Sequence, residues 1–245
     1  MGKSPSPATP VIWRVSSSAA CAPQGLSKMD APLQLWLDQL ASAAQADFEA
    51  RNQARDLALQ KSRELIRLCS CAIRAAHRDE WDEARAQLTA ADGIGRDMSA
   101  LLAPYPDLFF AGYTQDALKE LVEAHATLAL MSGGPLPPVD TAAIPLSTYL
   151  NGLCEAASEL RRGCLDAMRQ DRLAEAERLL AAMDAAYEVL MSFSYPDAIT
   201  GGLRHRVDQL RAVLERTRGD LTNSVQMQKL LKALGNSAME IDYDE

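Results

Sequence analysis

After Pro32 the sequence runs to Arg78 without another proline or glycine. Proline would remove a backbone donor and clash with the preceding turn, and glycine would cost roughly 1 kcal/mol of backbone entropy, so nothing in this stretch interrupts a helix. A helix over 31–78 is therefore expected. It is too long for one side of a small globule, so its outlying turns should pack on another subunit or carry a kink. The rest of the chain follows suit. Aromatic residues make up only 5% of the sequence, and the β-branched and aromatic runs that strands favour are nearly absent. The expected fold is all-α: a single-domain bundle of roughly six to seven helices with a long first helix.

Punctuation sets the other boundaries. A second helix over 81–102 is stopped by Pro104 and Pro106, with Asp79 as its cap and Asp82 and Glu83 near its positive end. A third over 106–131 ends at Gly133-Gly134-Pro135. The proline-rich loop 133–145 separates the two halves. A fourth helix covers 146–170 with Ser147 as its cap, and a fifth covers 173–191. A sixth covers 197–220, after Tyr195-Pro196 breaks the previous one, and a weaker stretch, 225–234, is a seventh candidate. In domain terms, residues 1–28 read as a disordered Ser/Pro/Ala-rich extension, with Met29 as an alternative start. Residues 29–235 read as the all-α domain and 236–245 as a flexible acidic tail.

Composition narrows the function classes. No segment approaches the roughly 18 consecutive apolar residues of a membrane span. The five cysteines, Cys21, Cys69, Cys71, Cys154 and Cys164, have no metal-binding spacing. They read as reduced thiols of an intracellular, cytoplasmic protein. The net charge of −8 argues against casual nucleic-acid binding, but its distribution argues the other way. Arg63, Arg67, Arg74 and Arg78 line one edge of the first helix, and Arg204, Arg206, Arg211, Arg216 and Arg218 make a second basic helix. Arginine suits bidentate phosphate contacts. The alternative is solubilising i,i+4 pairs, Arg204 with Asp208 and Arg211 with Glu215. No aromatic stacking platform is evident, so low sequence specificity is expected.

Two glutamate pairs carry the clearest chemistry. Glu120 and Glu123 stand three apart, and Glu155 and Glu159 four apart, so each pair shares a helix face. If the two helices are neighbours, four carboxylates converge. They would then share protons or hold a hard cation such as Mg2+ or Mn2+. The competing reading is a solvated face. A helical wheel places both pairs away from the apolar stripes Leu118–Leu121–Val122–His125–Leu128 and Leu150–Leu153–Ala157–Leu160–Cys164. A carboxylate site there needs an open groove or the inner wall of an assembly. The Glu-x-x-His spacing of bundle di-iron sites is absent, as are phosphate-binding glycine loops and nucleophile elbows.

Three stretches, in order, resemble the translin family, and within it the translin-associated factor X branch: residues 55–63 (RDLALQKSR), 149–161 (YLNGLCEAASELR) and 195–206 (YPDAITGGLRHR). The resemblance covers about 55–222. It implies a helical protein that binds RNA or single-stranded DNA and assembles into a hollow homo-octamer. It further implies a Mg2+-dependent endoribonuclease with acidic residues on the inner wall. The positions matching the catalytic and metal-binding motif are Glu120, Glu123, Glu155 and Glu159. Glu155 is one methylene longer than the Asp usual there. Arg63, Arg67, Arg74, Arg78, Arg204 and Arg206 would hold flanking phosphates. The alternative within the same fold is a non-catalytic protein that binds single-stranded RNA or DNA.

Overall fold

A computed structural model describes residues 31–137, 139 and 143–241, with side chains of the last helix through Leu234. Among these residues there are eight helices and no strands: α1 (Ala31–Ala76), α2 (Trp81–Leu102), α3 (Pro106–Phe109), α4 (Gly112–Ser132), α5 (Leu146–Arg169), α6 (Leu173–Met191), α7 (Asp197–Thr200) and α8 (Leu203–Ile241). The chain divides after Asp47 into two compact units. The first is described only from Ala31, where it is helical and exposes Leu33, Leu35, Trp36 and Leu40. Residues 1–28, expected to be an extension, lie outside the described residues. No helix among the described residues is long and apolar enough to cross a membrane.

In the second unit the core follows helical spacing. On α1 the buried positions Ala54, Ala58, Ser62, Leu65, Cys69, Ala72 and Ala76 recur every three or four residues. On α2 Ala84, Leu88, Ala91, Gly95, Met98 and Leu102 do the same. Most of these are small, which lets helix axes approach closely. Leu65, Cys69, Met98, Leu118, Leu160 and Met183 belong to one continuous core. Helices α4, α5, α6 and α8 pack around one another, with α5 against each of the other three.

Several expected boundaries are corrected. The third helix is broken into α3 and α4 at Phe110 and Ala111, where Ala111 is extended. Side chains of the first turn of α4 bond back to the carbonyls of α3: Thr114 Oγ1 donates to Leu108 O at 2.9 Å and Gln115 Nε2 to Phe109 O at 2.7 Å. The sixth helix is also divided, because Gly201 and Gly202 both take left-handed backbone (φ 63° and 81°). Beyond that turn α8 continues without a break and absorbs the separate stretch expected over 225–234. Neither Asp79 nor Ser147 caps a helix. Asp79 is left-handed (φ 59°), which aspartate tolerates, and Glu80 takes the cap position of α2 without a side-chain bond. Pro145 takes the cap position of α5. Gly133 closes α4 in left-handed backbone (φ 69°), as its position in the sequence suggests.

Candidate metal centre

The centre starts from a glycine. A Cβ on Gly152 would lie 2.7 Å from Lys119 O and 2.8 Å from the Val122 Cβ. Only glycine lets the backbones of α4 and α5 meet there. One turn further along α5 stands Glu155, and Glu120 and Glu123 flank the contact on α4. Their side chains therefore converge, and one ligand oxygen from each of Glu120, Glu123 and Glu155 lies within 4.8 Å of the others. All three side chains are half-buried. The carboxylates stay out of the apolar core, as the wheel expects, and stand in a groove rather than on a fully solvated face.

Glu159 stands apart from that trio. Its Oε1 lies 2.7 Å from Nε2 of His77, whose side chain is 0% exposed. The other ring nitrogen of His77 is buried without a partner. Glu159 still lines the same groove, a cavity of about 700 Å3 shared with Glu120, Glu123, Glu155, Gln209 and Arg216.

Two cations hold Glu155. Lys119 Nζ donates to its Oε2 at 2.5 Å and lies 3.4 Å from Glu120 Oε1. Arg206 Nε donates to Glu155 Oε1 at 2.9 Å, and its Nη1 reaches Asn151 Oδ1 and Gly201 O, each at 3.2 Å. Asn151 in turn donates to Thr200 O at 2.7 Å. The segment around Asn151-Gly152 and the Thr200-Gly201-Gly202 turn are thus built to support one carboxylate.

Electrostatics record the crowding. Burial, then repulsion from Glu120, Glu155 and Glu159, pushes the Glu123 carboxyl up to about 8, with Lys119 acting in the opposite direction. Burial alone would lower Lys119, but its bond to Glu155 and the charges of Glu155 and Glu120 outweigh burial and raise it. Cys69 is pushed up to about 12 by burial, then by Glu120, Glu123 and Asp92. It is a buried thiol, as are Cys154 and Cys164. At neutral pH the raised Glu123 carboxyl keeps its proton, and a bound cation would displace it and compensate the crowded carboxylates of Glu120, Glu155 and Glu159. An all-oxygen donor set of three converging carboxylates fits one hard divalent cation.

The basic residues expected to hold nucleic acid fall into different settings. Arg206 is committed to Glu155 and is not free for a phosphate. Arg63 and Arg67 are exposed on α1 without an ion-pair partner among the described residues. Arg74 bonds to Cys71 Sγ at 3.1 Å, and Arg78, just past α1, bonds to Glu80 at 2.5 Å. Arg204 lines a separate groove with Tyr195. Sequence reasoning missed Lys119, His77, Asn151 and Gly152. The glycine offered a signal, since an isolated glycine inside a helical pattern usually has a packing reason. His77 offered none.

No protein-family model matches the chain. It is 33% identical over 186 residues to an uncharacterized protein of Methanocaldococcus jannaschii, spanning 75% of this chain and 82% of that protein. Among solved structures it is similar to AfC3PO in complex with duplex RNA, at TM-score 0.72 and 30% identity over 76% of this chain and 97% of that one. AfC3PO alone gives TM-score 0.70 at 30% identity, with the same coverage. The apo form of NeC3PO, at 16% identity and TM-score 0.67 over 81% of this chain and 99% of that one, shares the fold.

Proposed function

Since the chain belongs to the translin family, we propose that its carboxylate groove is the active centre of a divalent-cation-dependent endoribonuclease acting on short or single-stranded RNA. The observation that carries this is the convergence of Glu120, Glu123 and Glu155 at the contact made by Gly152. These three would hold Mg2+ or Mn2+. Such a cation, when bound, offsets charge on the scissile phosphate and makes water a better nucleophile. The protein's own residues do the rest. Lys119 and Arg206 fix both oxygens of Glu155, which accommodates the extra methylene of glutamate at this position. Glu159, oriented by His77, presents a carboxylate to the groove, where it would accept a proton from the attacking water. Arg216, exposed at the same groove, would face the phosphate backbone. The expected assembly is a homo-octamer in the cytoplasm.

A second reading has its own observation. Lys119 already places an ammonium on Glu155, which would suit a protein that binds RNA or single-stranded DNA without cutting it. Incubating the purified protein with short labelled RNA, with Mg2+ or with a chelator, separates the two. The nuclease reading expects cation-dependent cleavage that Glu123→Gln abolishes while RNA binding persists. Tight RNA binding with no cleavage in either Mg2+ or Mn2+ would overturn it in favour of the binding protein.

A further inference from the structure

Another groove, of about 530 Å3, opens along a different face of α8. Leu203 and Val207 form its buried floor. Tyr187, near the end of α6, and Phe193 and Tyr195, in the segment that follows, form one wall, and Arg204 and Arg211 form the other. At roughly 100° per residue, the residues of α8 that line this groove stand roughly 160° around the helix from those that line the carboxylate groove. The two grooves are therefore separate sites.

Two features of this groove point to a ligand. Tyr195 is 62% exposed and Phe193 37% exposed, beside the floor of Leu203 and Val207. Arg204 and Arg211 have no ion-pair or hydrogen-bond partner among the described residues. The sequence offers each an acid four residues on, Asp208 and Glu215, but Glu215 accepts from Arg218 at 2.8 Å and no bond joins Arg204 to Asp208. Asp208 is the one acidic side chain in the lining. Exposed aromatic faces beside unpaired guanidiniums suit a ligand with flat apolar rings on an anionic backbone.

We propose that this groove binds single-stranded RNA, with bases stacked on Tyr195 and Phe193 and phosphates held by Arg204 and Arg211. The inference deepens the RNA-binding reading above and rests on it. It supplies the stacking surface that the sequence did not reveal. Rings that stack on bases recognise unpaired nucleotides, so a perfect duplex gains nothing from them.

The test uses the full chain in chelator, so that nothing is cleaved, and follows a labelled single-stranded RNA by anisotropy over a salt series. Sedimentation of each variant monitors the assembly. Tyr195→Ala should weaken single-strand binding by about 5- to 100-fold, the effect of removing the platform for one stacked base. It should leave the salt dependence unchanged, and Tyr195→Phe should bind as the native chain does. Arg204→Ala with Arg211→Ala should lower the slope of log affinity against log salt by roughly 1.4, or 0.7 for each phosphate that is no longer neutralised. Native affinity and slope in all these variants would overturn the groove while leaving RNA binding elsewhere intact. A change in sedimentation with Tyr195→Ala would also overturn it, because the face would then be a contact between copies. Failure of the native chain to retain any RNA would sink the RNA reading itself, and this groove with it.

Discussion

In the carboxylate groove Lys119 and Arg206 are both bonded to Glu155, whereas Arg204 and Arg211, along another face of α8, bond to nothing among the described residues. The first groove gathers like charges under partial burial and needs two cations to hold them together. The second leaves its cations in water and exposes aromatic rings beside them. Strained electrostatics of the first kind cost folding free energy and persist where a site has chemistry to do. Solvated charges of the second kind cost the fold almost nothing, so only a ligand gives them an energetic consequence.

Glu123→Gln should break this contrast most sharply. Cleavage should fall at least about 100-fold, in keeping with the loss of one charge-stabilising group, as read by single-turnover assays in Mg2+. The metal-free protein should meanwhile become more stable. The Glu123 carboxyl has a folded value of about 8 against an ordinary value of 4.5. Between those limits the folded state keeps a proton that the unfolded state has released, so stability declines as pH rises through the window. The full penalty is present above pH 8 and absent below 4.5. Glutamine removes it, so thermal melts should show a gain on the order of 1–3 kcal/mol above pH 8. No gain is expected near pH 4. An equal gain at both pH values would mean that Glu123 is not crowded as the geometry indicates.

Gly152→Ala tests the backbone contact beneath the same groove. The added methyl would sit 2.7 Å from Lys119 O, so α4 and α5 must separate at a cost of about 1–3 kcal/mol. Misplacing Glu155 by a fraction of an ångström should lower cleavage by more than the lost stability explains. RNA affinity in chelator should hold. Parallel melts and cleavage rates check this, and a loss of cleavage no larger than the unfolded fraction would count against it. Lys119→Met should come next. It leaves Glu155 and Glu120 without their ammonium, at a cost of about 1 kcal/mol or more. Added Mg2+ should restore part of the lost melting temperature, more than it adds to the native chain.

Much of this was legible in the sequence where one local rule governs. The unbroken run after Pro32, the stop at Gly133 and the break at Tyr195-Pro196 depend on backbone constraints that travel with the residue type. The convergence of Glu120 and Glu123 with Glu155 follows from helical spacing once α4 and α5 are neighbours. What was not legible depends on residues far apart in the chain. His77 meets Glu159 from 82 positions away and Arg206 meets Glu155 from 51, and no periodicity encodes either. The division of α3 from α4 was hidden because Thr114 and Gln115 bond backwards to Leu108 and Phe109. A wheel also treats a helix as having one buried face, whereas α4 has α5 against it on the side that carries Glu120 and Glu123. The aromatic groove was missed because Tyr187, Phe193 and Tyr195 form no pattern until the turn at Gly201 and Gly202 brings α8 back beside α6.

The smallest expected effect on the fold is also the one that separates the grooves most cleanly. Arg204→Ala and Arg211→Ala remove two charges with no partner among the described residues. Neither change leaves a buried acid orphaned or opens a cavity, since both side chains are exposed. Their cost to stability should stay within about 0.5 kcal/mol, as for other surface positions without a specific contact. The contrast with Lys119→Met is then one of kind. Both remove positive charge near α8 or its neighbours, but only the lysine compensates a carboxylate that the fold has taken partly out of water. Denaturant melts of the three variants in one buffer decide the matter. If the arginine pair costs as much as the lysine, Arg204 and Arg211 support the fold, and the aromatic groove loses its claim to be a surface kept free for a ligand.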